Sequence, residues 1–268
     1  ALERLPRWGM SASFVDAKDL GEVERAFRSA TGALWLESPS NPLIDVCDLA
    51  ALAKLAKAHG AKTIVDNTFA TPVLQRPLAL GCDVVLHSAT KYLGGHSDVQ
   101  GGALVFAEEP EWSREARRLR KVLGGVASPF NAWLIHRGLR TMPCRVEAHS
   151  RNALSVATAL AAHPGIDRVH YPGLPTDPGH EIARRQMSGG FGGMLSIRVR
   201  GGEQAARRLA GRVKLFTRAT SLGGVESLIE HRYSAEGENS TAPPDLLRLS
   251  IGLEHPDDLI DDLSQALS

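Results

Sequence analysis

Asn41, Asp66 and Lys91 recur 25 residues apart, and each stands at or just past the end of a short apolar run. Ala33-Leu34-Trp35-Leu36 leads into Glu37-Ser38-Pro39-Ser40-Asn41, Thr63-Ile64-Val65 into Asp66, and Val84-Val85-Leu86 into His87-Ser88-Ala89-Thr90-Lys91. Successive βα units of a parallel sheet produce such a repeat, and these sheets gather ligand groups at the carboxyl ends of their strands. The amide, the carboxylate and the amine are therefore expected to share one crevice.

The stretch between the first two strand ends supports this. From Asp48 to His59, Leu49, Leu52, Ala53 and Ala56 fall at helical spacing, and Gly60 stops the helix. Pro72 to Gly81 reads as a shorter crossover into a strand at Cys82 to Leu86, and Gly101 to Phe106 as a further strand. Helices are predicted over Glu111 to Leu123 and Pro129 to Arg140, separated by Gly124-Gly125. A long helix from Val146 to Ala162 is expected to bridge two domains. Beyond it the pattern gives strand Asp167 to Tyr171, helix His180 to Met187, strand Met194 to Ile197 and helix Glu203 to Ala210. Strands at Lys214 to Phe216 and Leu246 to Leu253 and a terminal helix complete it. Ala235 to Pro244 reads as a loop. In the last strand Leu247, Leu249 and Ile251 point one way and Arg248 and Ser250 the other, so Arg248 leaves the apolar face.

The remaining composition excludes more than it assigns. With 268 residues, 43% hydrophobic, and a net charge of +1, the chain suits an α/β protein without a polyanionic partner. Cys47, Cys82 and Cys144 lack CxxC pairing or zinc spacing, which fits a reducing compartment, with cytoplasm as the default. No run nears the roughly 18 apolar residues of a membrane helix, and no signal peptide opens the chain. Ala1 to Gly9 reads like the middle of something, without an initiator Met. His87, His96 and His231 lack metal-ligand spacing, so no metal is expected. Gly94-Gly95 and Gly101-Gly102 fit neither nucleotide fingerprint and read as tight turns. The basic run Arg114, Arg117, Arg118, Arg120 and Lys121 reads as a solvated face or subunit contact, not a nucleic-acid site.

Lys91 sits among small hydroxyl residues at a strand end. Such a lysine can join an aldehyde cofactor, with Ser88 and Thr90 donating to its phosphate, and the aldehyde would be pyridoxal 5'-phosphate. Asp66 is the natural partner of the ring nitrogen, because a nearby carboxylate favours the protonated pyridinium that makes the ring an electron sink. Asn41 is left for the ring hydroxyl region or the substrate.

Four ordered strings now carry a resemblance: Glu37 to Pro42, Val65-Asp66-Asn67-Thr68, Ser88 to Tyr92 with Gly95-His96-Ser97-Asp98, and Ser221 to Ser227. From Leu5 to the C-terminus the chain resembles the Cys/Met-metabolism family of pyridoxal-phosphate enzymes. That family includes cystathionine γ-synthase, cystathionine γ- and β-lyases, methionine γ-lyase and the acylhomoserine sulfhydrylases. The resemblance implies a type I PLP-dependent transferase fold, aspartate aminotransferase-like. Its large cofactor-binding domain would span residues 1–143, N-terminally incomplete, and a smaller α/β domain residues 144–268. It implies Lys91 as cofactor lysine and acid/base, Asp66 at the ring nitrogen, and Ser88 and Thr90 at the phosphate. Arg248 would clamp the substrate carboxylate, helped by Ser221 and Asn41, since a two-pronged guanidinium matches a carboxylate.

The activity implied is elimination or replacement on sulfur-containing amino acids, of the cystathionine γ-synthase or γ-lyase type. Cystathionine β-lyase, methionine γ-lyase and acylhomoserine sulfhydrylase are the alternatives, and a non-catalytic truncated homologue serving as an assembly partner is the reading from another class. The resemblance further implies a homotetramer, a dimer of dimers. Two departures bear on the substrate. Thr220 stands where some relatives carry a Glu, and Glu230 to Gly237 departs from the family's usual string at the pocket rim. The arm, phosphate turn and stacking Tyr at the front of family members find no counterpart.

Overall fold

A computed structural model of the chain describes residues 2–108, 111–237 and 240–268. A 3₁₀ turn at Leu2–Trp8 precedes α1 (Leu20–Ala26), a helix not anticipated from the sequence and begun by Asp19, whose carboxylate accepts the Glu22 N–H at 3.0 Å. Strands β1 (Ala33–Glu37), β2 (Lys62–Asp66) and β3 (Val84–Ser88) run parallel and lie side by side in that order. Helix α2 (Leu49–Ala58) joins the first two. Asp48 caps it through the Ala51 N–H at 3.0 Å, and Leu49, Leu52, Ala53 and Ala56 turn inward as their spacing predicts. The second crossover holds α3 (Thr71–Leu74) and a 3₁₀ turn at Pro77–Leu80.

Strand β4 (Gly102–Phe106) departs from the parallel pattern: it runs antiparallel to β3, with Gly102 opposite Ser88. The chain reverses between residues 89 and 101 with no helical crossover long enough to return it for parallel pairing. Then come α4 (Glu111–Val122), α5 (Pro129–Leu139) and α6 (Met142–Ala161). The last begins ahead of the predicted Val146, because Pro143 lies in its first turn, where a missing N–H removes no helical bond.

A second sheet follows from β5 (Ile166–His170), α7 (His180–Gln186), β6 (Met194–Val199), α8 (Gly202–Arg212), β7 (Thr217–Arg218), β8 (Leu228–His231), α9 (Arg232–Glu236), β9 (Leu246–Ser250) and α10 (Pro256–Leu267). Its order is β5-β6-β9-β8-β7, antiparallel except for β7 beside β8. The strand expected at Lys214 to Phe216 does not form. The Asp262 carboxylate takes all three of those backbone N–H groups, at 2.7, 2.8 and 3.2 Å, and pairing starts only at Thr217. The loop expected at Ala235 to Pro244 begins later than predicted, since α9 runs to Glu236, and its positions 238 and 239 lie outside the described residues.

Leu247, Leu249 and Ile251 enter a core with Leu195, Ile197 and Ile229 and with residues of α6, α8 and α10. Arg248 turns to the opposite face as expected. It does not reach open water there: only 2% of it is exposed. Helix α6 packs against β5, β6 and α10 on one side and against α3, α5 and the turn after β3 on the other, so it touches both layers. Among the described residues no helix is long and apolar enough to cross a membrane. Cys47 and Cys82 are buried free thiols, and Cys144 is an exposed one.

Candidate active site

At the end of β3 the chain enters a π turn, Ala89–Leu93, whose helical path Lys91 breaks with φ −92° and ψ −130°. Three residues hold this turn in place. The buried Arg145 of α6 donates to the Tyr92 carbonyl at 3.0 Å and to the Gly138 carbonyl at 2.7 Å. Gly138 lets α5 pass so close that a Cβ there would lie 2.3 Å from the Gly94 oxygen. Gly95 adopts φ +74°, and a Cβ on it would collide with the Arg145 guanidinium.

Lys91 is half-buried, and its Nζ donates to the Ser221 hydroxyl at 3.2 Å. Burial lowers its pKa first and the Arg248 charge second, while Glu230 opposes them. Ser221 opens a segment from the second sheet that rests on the Lys91 turn. Gly223 of that segment has φ +75°, and a Cβ on it would lie 2.9 Å from the Tyr92 nitrogen. The Ser250 hydroxyl accepts the Gly223 N–H at 2.8 Å and ties the segment to β9.

Arg248 reaches the same place from β9. Its Nη2 donates to the carbonyls of Thr220 and Ser221 at 2.8 and 3.3 Å, and its Nη1 to Asn41 Oδ1 at 2.9 Å. Lys91, Ser221, Arg248 and Asn41 thus form one continuous chain of contacts across the two sheets. Asn41 itself lies beyond β1 on a loop with cis peptides at Ser38-Pro39 and Asn41-Pro42. The Ser196 hydroxyl donates to the Pro42 carbonyl at 2.6 Å and fixes the loop to β6.

A second chain of contacts holds the remaining predicted residues. Asp66 Oδ1 accepts the Thr68 N–H at 3.0 Å and the Thr68 hydroxyl at 2.5 Å, and the same hydroxyl accepts the Ser88 N–H at 2.9 Å. Thr90 is engaged by Gly101, its hydroxyl donating to the carbonyl at 3.3 Å and accepting the N–H at 3.1 Å. No direct bond joins Asp66 to Lys91 among the described residues. Of the histidines noted in the sequence, His96 Nδ1 contacts the Gly94 carbonyl at 2.9 Å and His231 contacts Ser234 and the Pro244 carbonyl, while the buried Nδ1 of His87 has no hydrogen-bond partner among the described residues.

Several participants escaped sequence reasoning. Glu37 stands opposite Asp66 in register; although its edge opens to solvent, protein crowds it on most sides, and that desolvation together with the Asp66 charge pushes its carboxyl up to about 7. Gln75 is buried and donates to the Ser38 carbonyl and to Asn67 Oδ1, both at 2.8 Å, tying the ends of β1 and β2. Glu230 faces Arg248 across β8 and β9 and is ion-paired with it. Strand alternation between residues 228 and 231 was the signal that could have revealed Glu230.

The sequence model of a family described as Cys/Met metabolism PLP-dependent enzyme matches residues 2–268. The chain is 50% identical over 267 residues to a cystathionine gamma-synthase of Mycobacterium leprae, covering 98% of this chain and 68% of that protein. It is 44% identical over 267 residues to a cystathionine beta-lyase of Coxiella burnetii, covering 97% and 69%. The crystal structure of metB from Corynebacterium glutamicum superposes with a TM-score of 0.94 at 44% identity, over 99% of this chain and 71% of that one. The strand-end motifs, the two-sheet fold and these likenesses agree, and the chain belongs to the Cys/Met-metabolism family of pyridoxal-phosphate-dependent enzymes.

Proposed function

We propose that this chain carries out elimination or replacement at the γ position of sulfur-related amino acids, in the manner of cystathionine γ-synthases and γ-lyases. The observation that carries the reading is the contact chain from Lys91 through Ser221 to Arg248 and Asn41. It sets an amine of lowered basicity beside a buried guanidinium, the pair needed to move a proton on a substrate held by its carboxylate.

The donor set fits pyridoxal phosphate. Lys91 would bond its aldehyde, and Asp66, with one oxygen held by Thr68, would keep the ring nitrogen protonated. Ser88 and Thr90 would hold the phosphate, the Thr90 hydroxyl turning away from Gly101. When bound, the cofactor supplies an electron sink for bonds at the substrate's α carbon. Arg248 would then take the substrate carboxylate, with the amide N–H groups of Asn41 beside it. The Lys91 amine would remove the proton at the α carbon and, for γ chemistry, a second at the β carbon; Ser221 would orient it between these positions. The lowered Lys91 pKa favours the neutral amine that both transfers require.

The likeness to a cystathionine gamma-synthase at 50% identity supports γ chemistry over β. Thr220 gives Arg248 its backbone carbonyl, and its exposed side chain offers no carboxylate to a distal ammonium, which favours substrates whose leaving end is not cationic. A substrate panel with mass detection tests this: cystathionine or 2-oxobutyrate as product supports the reading, and pyruvate alone overturns it. We also place the boundary between a cofactor-binding and a smaller domain at residues 143 and 144, within the first turn of α6. Assembly as a dimer of dimers is supported by the exposed Val122, Leu123, Phe130 and Trp133 on and beside α4 and α5. Light scattering of the protein reads that assembly directly, and a monomer mass would overturn it.

A further inference from the structure

Arg248 and Glu230 form an ion pair inside the protein, with 2% and 4% of their side chains exposed. Glu230 has a second partner. Its Oε1 faces Arg232 Nη1 at 3.3 Å, and Arg232 in turn pairs with Glu236 at 2.6 Å. One carboxylate is therefore shared by two guanidiniums, one inside the site and one on α9 at its rim. The groups acting on Arg248 include Glu37 at the end of β1, Asn41 from the loop after it, Lys91 and Tyr92 from the turn after β3, the Thr220 and Ser221 carbonyls, Glu230 from β8, and Arg232 and Glu236 from α9. Among the acidic ones, Glu230 is the group in contact.

This arrangement has an energetic consequence. A bare buried guanidinium would hold any carboxylate tightly, and binding that is equal in the ground and transition states lowers KM without raising kcat. Glu230 cancels part of the Arg248 charge, while Arg232 draws part of the Glu230 charge away. The register Glu230 to Arg248 also fixes the guanidinium so that its Nη2 meets the Thr220 and Ser221 carbonyls.

We propose that Glu230 is a positioning residue that aims Arg248 and sets how strongly the site grips the substrate's α-carboxylate, with Arg232 as the rim charge that adjusts it. The inference rests on Arg248 being the carboxylate site. It reaches beyond that assignment by naming the residue pair that grades the affinity. Because the two residues differ in sign, their removal has opposite effects, which loss of packing alone would not produce.

The test measures the dissociation constants of glycine and glycinamide on the cofactor-loaded protein by calorimetry, and takes their ratio as the carboxylate preference. Glu230→Gln keeps the shape and removes the charge, and is expected to raise that preference by about threefold to tenfold, with KM falling and kcat not rising. Arg232→Gln is expected to lower the preference by about threefold. Arg232 lies partly at the surface, so this arm stands even where Glu230→Gln fails to fold. Ratios within about twofold of the parent for the variants that fold, or both shifting in one direction, overturn the proposal. Arg248→Ala separates the two levels: a preference that survives this change shows that the carboxylate binds elsewhere, so that the site assignment fails.

Discussion

Thr68 shows how much one hydroxyl can carry. It donates to Asp66 and accepts from the Ser88 backbone, joining the carboxylate at the end of β2 to the residue that closes β3. Thr68→Val keeps the volume but leaves the Ser88 N–H without its acceptor, so a loss of about 1–3 kcal/mol is expected in urea unfolding. Lys91 gives a prediction of different kind. Arg248 lowers the Lys91 pKa through its charge, and Glu230 raises it. Arg248→Ala removes the first influence and keeps the second, so the Lys91 pKa rises and the acid limb of the kcat profile, which reports the substrate-bound state in which this amine is free, moves to higher pH. An unchanged or lower limb would contradict the assignment of Lys91 as the titrating base. Lys91, Asp66 and Arg248 could be singled out as candidates because Asp66 ends a strand, Lys91 lies just past the end of one, and Arg248 alternates with apolar neighbours in a third. Gln75 could not be, since its partners Ser38 and Asn67 come from distant parts of the chain and no local pattern marks it, and Glu230 had only the alternation of a four-residue strand to point to it.

At the level of elements, the same contrast has a physical cause. Helix α2 was readable because its cap, its apolar spacing and its stop lie within one short segment. The strand predicted at Lys214 to Phe216 failed because its donors are claimed by Asp262, from a helix almost fifty residues later. Strand β4 was placed correctly, but its direction depends on how the Lys91 turn reverses the chain, which residue type does not encode. Gly138 offers a test at this scale. In an open helix, Gly→Ala would stabilise by about 1 kcal/mol. Here the new methyl would meet the Gly94 and Leu93 carbonyls at 2.3 and 2.5 Å, backbone atoms that cannot swing aside. Overpacking wins, and Gly138→Ala is expected to cost about 1–3 kcal/mol in thermal unfolding and to weaken cofactor retention by displacing the turn that carries Lys91.

For the whole molecule, two buried histidines set an acid limit. His149, fully enclosed on α6, contacts the Ile251 carbonyl through Nδ1 at 2.7 Å, and His170 closes β5. Burial pushes both down to about 4 from 6.5. In the unfolded chain they take up protons as the pH drops through 6.5, whereas the folded protein excludes them until about pH 4. Their contribution is thus complete above the unfolded value and is lost as the pH falls through the folded one, on the order of 3 kcal/mol each. Urea midpoints should decline between pH 7 and pH 5, and His149→Gln should flatten that decline. A midpoint indifferent to pH over this range would show that these histidines are not held neutral.

Lys91, the amine proposed to act on the substrate, and Arg248, the guanidinium proposed to receive it, arrive from different sheets, which meet where the Ser221 segment lies on the Lys91 turn and where the Asn41 loop reaches Arg248 and Ser196. On the proposed roles, proton transfer is built from the earlier half of the chain and carboxylate binding mainly from the later one, with Asn41 as the earlier half's share in it. On that division, chimeras exchanged within α6 are expected to carry most of their substrate preference with the C-terminal donor.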